Sequence, residues 1–204
     1  MPTPSPEPVD SPESWPVVDS TDLYRDDWVM ALRADRVRRP DHGDDESFRR
    51  LVLEHPGSAV VVALDERGRV LCLRQYRHAA RRRFVELPAG LCDVDGEEPL
   101  AVAVRELREE AGLEARDWVR LATTYPSPGI SAEVMHFFLA RGLSDADDGD
   151  FVPEHEEADM DRLWVAFDEL RAAALDGRLQ DAPIVLALLL VAAQGYAGTG
   201  PTGE

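Results

Sequence analysis

Between Leu100 and Ala111 the apolar residues Leu100, Ala103, Val104, Leu107 and Ala111 recur at every third or fourth position. That spacing fits one face of an α-helix and no strand. Gly112 follows directly and suits the left-handed backbone with which helices end. The remaining positions carry Arg105, Glu106, Arg108, Glu109 and Glu110. Glu106 and Glu110 are four apart, so their carboxylates project side by side, and Arg105 and Glu109 form a second such row. Glu97 and Glu98 stand at the helix start, where the macrodipole favours negative charge. Two readings share this pattern. One is a solvated acidic helix laced with ion pairs along the chain. The other is a pair of carboxylates poised around a hard divalent cation, which takes oxygen ligands of this kind.

The rest of the chain supplies strands around that helix. Trp28–Val37 and Phe48–Leu53 read as two strands joined by an acidic loop with Pro40 and Gly43. Ala59–Leu64 is a short apolar run, followed by the turn DERG and then Val70–Arg77, a pair that reads as a hairpin. Phe84–Leu87, Trp118–Thr124, Glu133–Ala140 and Leu163–Val165 are further expected strands, and Arg81, Arg82 and Arg83 are expected to cap a turn. Asp168–Leu175 and Ala182–Gln194 read as helices, the second apolar on most faces. Strands mixed with a few helices predict an α/β or α+β domain with a mixed sheet. The expected division is a proline-rich, unstructured segment over 1–16, a small antiparallel sheet over 17–56, the main domain over 57–195 and a flexible tail over 196–204.

Charge and composition narrow the function. A net charge of −18 over 204 residues argues against binding nucleic acid or an anionic membrane, since both need a basic footprint. It leaves a phosphorylated substrate open, because a divalent cation can bridge two negative partners. Every basic residue is arginine, and neither lysine nor asparagine occurs. A Walker-type lysine, a Schiff-base lysine and any triad requiring asparagine are thereby excluded. Cys72 and Cys92 have neither metal-ligand spacing nor a disulfide partner framework, and two reduced, buried thiols are expected. With no basic start followed by an apolar run, and with the apolar run Ile184–Ala193 too short to span a bilayer, a cytoplasmic protein is expected.

Taken together, Gly90, Glu97 and the run Arg105-Glu106-Leu107-x-Glu109-Glu110-x-Gly112-Leu113 resemble the signature of the Nudix hydrolase family. That signature has one residue fewer between its glycine and first glutamate than the six here, LCDVDG, and every position from Glu97 onward matches. The resemblance implies a mixed sheet sandwiched between helices and, at the box, Mg²⁺ (or Mn²⁺). The ligands it implies are Glu106, Glu109, Glu110 and the backbone carbonyl of Ala89, with Arg105 orienting the glutamates and Glu97 supporting the loop. ELPAGL at 86–91, QYR at 75–77, SPGISAE at 127–133 and HEEADM at 155–160 resemble, within that family, the ADP-ribose pyrophosphatases of actinobacterial type. This implies hydrolysis of the ADP-ribose diphosphate to AMP and ribose 5-phosphate by a homodimer, with Glu157 as general base and Glu156 as its reserve. Arg77, Glu86, Gly129, Glu133 and Trp28 are the expected substrate contacts, with Tyr24 a second candidate for stacking on adenine. Two alternatives stay open: hydrolysis of another nucleoside diphosphate sugar or a dinucleotide, and a non-catalytic sensor that binds ADP-ribose. His155 is read as a surface histidine, since no second histidine stands at ligand spacing.

Overall fold

The computed structural model describes residues 8–40, 46–146 and 160–197. The chain forms two units, Met1–Glu54 and His55–Glu204. In the first, strands β1 (Val17–Tyr24), β2 (Ala31–Arg38) and β3 (Ser47–Glu54) make an antiparallel sheet in the order β1-β2-β3. The sequence pattern predicted only the last two strands. All eight residues of β1 are exposed, so its sequence, VVDSTDLY, carries no apolar face to reveal it. Hydrogen-bonded charge takes the place of a core here. Ser20 Oγ donates to Asp35 Oδ1 at 2.6 Å, Arg33 pairs with Asp35 and Glu54, and Arg25 reaches Glu54 at 2.6 Å.

The second unit holds two sheets. One is four-stranded, in the order β7 (Ala89–Leu91), β4 (Ser58–Ala63), β9 (Met135–Asp145), β8 (Leu113–Thr124). The pair β4–β9 is parallel and its other neighbours are antiparallel, so the sheet is mixed. The other sheet runs β10 (Asp161–Ala166), β5 (Arg69–Arg77), β6 (Arg82–Glu86), antiparallel throughout. The expected β4–β5 hairpin does not form. After the tight turn at Asp65–Arg69 only Leu64 and Val70 bridge, and the strands then diverge into separate sheets. The physical reason is that all six β4 residues are buried on both faces, so its edges go to β7 and β9 and its surfaces to helices.

Helix α1 (Pro99–Ala111) covers one face of β4: Val102, Ala103 and Leu107 pack on Ala59, Val61, Ala63 and Phe138. Helices α2 (Phe167–Leu175) and α3 (Ala182–Ala193) cover the other, through Leu170, Ile184 and Leu188 against Val60, Val62, Phe137 and Leu139. This is the helix–sheet–helix sandwich expected from the sequence. Both cores meet at β4, which fixes the loop leading into β7 and hence the residues that face α1. Cys72 lies within the core and burial pushes its thiol up to about 12, whereas Cys92 is only partly buried. Among the described residues no helix is long and apolar enough to cross a membrane.

Candidate active site

Helix α1 begins at Pro99, whose missing N–H costs nothing at a first helical position. It ends at Gly112, where φ is +63° and the N–H closes on the Arg108 carbonyl at 2.8 Å. Between these ends its rotation differs from the one predicted. Val102, Ala103, Leu107 and Glu110 face inward, while Leu100 and Val104 are 41% and 43% exposed. Two of the five apolar residues thus point to solvent, and Glu110 is buried at 5% exposure. Glu106, at 12%, is nearly as covered. The expected charged outer face therefore loses Glu106 and Glu110 to the interior. A helix that turns carboxylates in and leucine and valine out gives up burial energy, and an inward polar task accounts for such a loss.

What the two carboxylates face is the start of β7. The Ala89 N–H donates to Glu110 Oε2 at 3.0 Å. At the next residue, a Cβ on Gly90 would lie 1.9 Å from Glu106 Oε1, so only glycine admits the Glu106 side chain here. Arg105 holds the outer side of the cluster. Its guanidinium meets Glu106 at 2.7 Å, Glu109 at 3.3 Å and Glu97 at 3.5 Å. Burial works against that charge, but Glu106, Glu97 and Glu109 raise its pKa above the ordinary arginine value. The structure thus gathers Ala89, Gly90, Glu97, Arg105, Glu106, Glu109 and Glu110 into one acidic locus, in which Arg105 pairs with Glu97, Glu106 and Glu109.

Next to it stands a second polar group. Arg77, at the end of β5, forks onto Glu86 of β6, with Nη2 to Oε2 at 2.7 Å and Nε to Oε1 at 3.1 Å. Gln75 Nε2 donates to the same Glu86 at 2.8 Å, and both Gln75 and Glu86 are buried. Burial lowers the Arg77 pKa, but Glu86, with help from Glu110 and Asp181, outweighs it and holds the guanidinium charged. Asp181 was not anticipated. Its carboxylate caps α3 by accepting the Ile184 N–H at 3.1 Å, and burial together with Glu86 pushes its pKa up to about 6 against the pull of that N–H and of Arg77. The one signal for it was an acid directly before Ala182-Pro183, the pattern of a capped helix start.

Glu133 lies in a separate network. Ser58 Oγ donates to its Oε1 at 2.9 Å, its own N–H donates to Ser131 Oγ at 3.1 Å, and His55 Nε2 stands 3.9 Å away. His55 is fixed by the Gly57 N–H donating to Nδ1 at 3.0 Å. Neither His55 nor Ser58 stood out in the sequence, because Glu133, which they share, lies far along the chain. Gly129 is exposed in a turn closed by Ile130 and Ser131 N–H groups on the Ser127 carbonyl. Trp28 and Tyr24 belong to the first unit and are each 61% exposed. Glu156, Glu157 and His155 lie outside the described residues. Among those described, no three carboxylate, imidazole or thiol side chains converge closely enough to ligate an ion as they stand.

Comparisons with known proteins bear on this arrangement. The sequence profile of the NUDIX domain matches residues 54–188. The chain is 41% identical over 175 residues to the ADP-ribose pyrophosphatase of Mycobacterium tuberculosis, a match covering 85% of this chain and 82% of that one. It is 31% identical over 160 residues to the methanol dehydrogenase activator of Bacillus methanolicus, covering 78% and 83% of the two chains. Among solved structures, that of an ADP compounds hydrolase superposes with a TM-score of 0.70 over 92% of this chain and 97% of the other. At 19% identity, that likeness speaks to the fold alone. A profile spanning well over half of the sequence, from the strand entry at Glu54 through the box to α3, places the box helix in its familial context, and the chain belongs to the NUDIX family.

Proposed function

We propose that this protein hydrolyses the diphosphate of ADP-ribose to AMP and ribose 5-phosphate with Mg²⁺ (or Mn²⁺) as cofactor. The observation that carries the reading is the inward turn of Glu106 and Glu110 on α1 against Gly90, in a chain 41% identical to a protein named for that activity. The donor set fits a hard divalent ion. It consists of carboxylate oxygens and the Ala89 carbonyl, and Gly90, lacking a Cβ, admits the Glu106 carboxylate beside them. When bound, the ion neutralises the diphosphate and acidifies a bound water. Glu106, Glu110 and the Ala89 carbonyl would hold it, with Glu109 as an additional ligand.

The chain's own groups do the rest. Arg105 orients the glutamates through its three ion pairs. Arg77, half exposed and held charged, presents a planar donor edge to a substrate phosphate, while Glu86 fixes its direction. Glu157, with Glu156 in reserve, accepts the proton of the attacking water. Glu133 takes the terminal ribose beside the turn at Gly129, and Trp28 stacks on the base. Homodimerisation and a cytoplasmic location belong to the same proposal. A three-stranded sheet whose only buried apolar residues are Ala31 and Ala34 supports the first, because such a sheet is marginal without a partner. Free Cys72 and Cys92 support the second.

Phosphorus NMR of ADP-ribose with the protein, with and without Mg²⁺ in ¹⁸O-labelled water, tests the reaction. Metal-dependent AMP and ribose 5-phosphate are expected, and the label identifies the phosphorus that water attacks. A flat rate profile across nucleoside diphosphate sugars, or a preference for a GDP-sugar, sinks the assignment of substrate. Tight binding without turnover sinks the assignment as an enzyme.

A further inference from the structure

The face of the four-stranded sheet that carries Gly90 continues sideways into a cluster with no role in the reaction proposed above. Gly90 pairs with Ala59, Ala59 with His136, and His136 with Thr123, so the four lie in one cross-strand row. Partners in such a row project to the same side. Gly90 faces Glu106 on that side, and His136 stands two strands away, about 10 Å at the usual strand spacing. There Arg120 Nη2 meets Thr123 Oγ1 at 2.6 Å and His136 Nδ1 at 3.2 Å, and Thr123 Oγ1 meets the same Nδ1 at 3.2 Å.

The composition of this cluster is unusual for the chain. Acids outnumber bases 40 to 22, yet among the described residues no carboxylate lies within ion-pair distance of Arg120. Burial and the neighbouring Arg120 cation both lower the His136 pKa. A guanidinium, a hydroxyl and an imidazole meet at one point, and what would relieve their mutual repulsion on protonation is an anion.

We propose that Arg120, Thr123 and His136 form a phosphate-monoester subsite on the α1 side of the sheet, beside the acidic locus. Arg120 supplies charge and paired donors, Thr123 its hydroxyl, and His136 a proton-bearing ring once the anion is present. The binding of phosphate at this cluster does not rest on the ADP-ribose reading.

The test is proton NMR titration of the histidine ring signals in the full chain. The chain has 5 histidines, and His136 is identified by the signal lost in His136→Gln. Inorganic phosphate is the first probe and ribose 5-phosphate the second, each against chloride at matched ionic strength. Phosphate is expected to shift the His136 signal saturably and to raise its titration midpoint, because a bound anion favours the charged ring. Arg120→Gln, at an exposed position, should leave the fold intact and weaken phosphate binding by about tenfold or more. An unmoved His136 midpoint, an equal response to chloride, or unchanged affinity in Arg120→Gln overturns the subsite. Tighter binding of ribose 5-phosphate than of inorganic phosphate assigns it to a sugar phosphate, and equal binding assigns it to free phosphate. If ADP-ribose is not hydrolysed but His136 still answers to phosphate, the reaction falls and the subsite stands. Hydrolysis with a silent His136 removes the subsite alone.

Discussion

Replacing Glu110 by glutamine removes one charge and leaves the shape nearly unchanged. The carbonyl of the new side chain can still accept the Ala89 N–H, so the loop into β7 keeps its anchor. Glu110→Gln is therefore expected to fold with an unaltered circular dichroism spectrum and, if Glu110 holds the metal as proposed, to lose activity by about 100-fold or more, since a charged ligand would become neutral. Near-wild-type rates would remove Glu110 from the metal site. Asp181 makes a different test of charge. Its pKa in the fold is about 6 against an ordinary 3.8, so the folded protein binds the proton more tightly than the unfolded chain. That contribution to stability is complete below the ordinary value and is lost as pH rises through about 6. Asparagine caps helices as well as aspartate does. Asp181→Asn should therefore raise Tm at pH 7.5 by about 2 °C, with the gain shrinking toward pH 4, as followed by thermal melts across that range.

At the scale of the element, α1 separates the type of a structure from its orientation. Its period and its glycine stop were plain in the sequence, and so was the spacing of Glu106 and Glu110. Which way the helix faces was not, because periodicity places apolar residues on a common face but does not say that this face is the buried one. Tertiary demand rotated the helix until its carboxylates met Gly90 and left Leu100 and Val104 outside. Leu107→Ala should accordingly cost about 2–5 kcal/mol by denaturant unfolding, whereas Val104→Ala should stay within about 0.5 kcal/mol. Equal costs would mean that the helix sits as the sequence pattern first suggested. β4 and β5 show a second limit. Two apolar runs around DERG look the same whether they pair with each other or part into two sheets, and the choice is made by partners far along the chain. β1 shows a third, since a strand exposed along its whole length has no pattern to display. His55 and Ser58 escaped for a related reason: each becomes notable only beside Glu133, which folding brings to it.

At the scale of the whole molecule the two units rest on different kinds of support. The second closes two apolar cores around β4. The first is knitted by Arg25, Arg33, Asp35 and Glu54, and it exposes Val17, Val18, Leu23, Tyr24 and Trp28. Surface ion pairs contribute little, with a median of about 0–1 kcal/mol each, so a sheet of this kind needs apolar contact from elsewhere. Sedimentation at micromolar concentration is expected to give a dimer of this 22.6 kDa chain. Leu23→Glu on β1 should then shift the equilibrium toward monomer, and a fully active monomer would separate the site from the assembly.

Arg105 has a bearing on how the protein comes to be loaded. By lying against Glu97, Glu106 and Glu109 it already neutralises part of the acidic locus before any ion arrives. An incoming cation would not meet bare charge. On the reading proposed above it would compete with a tethered resident, and loading would be an exchange of partners in which the guanidinium gives up Glu106 while keeping its hold on the loop through Glu97.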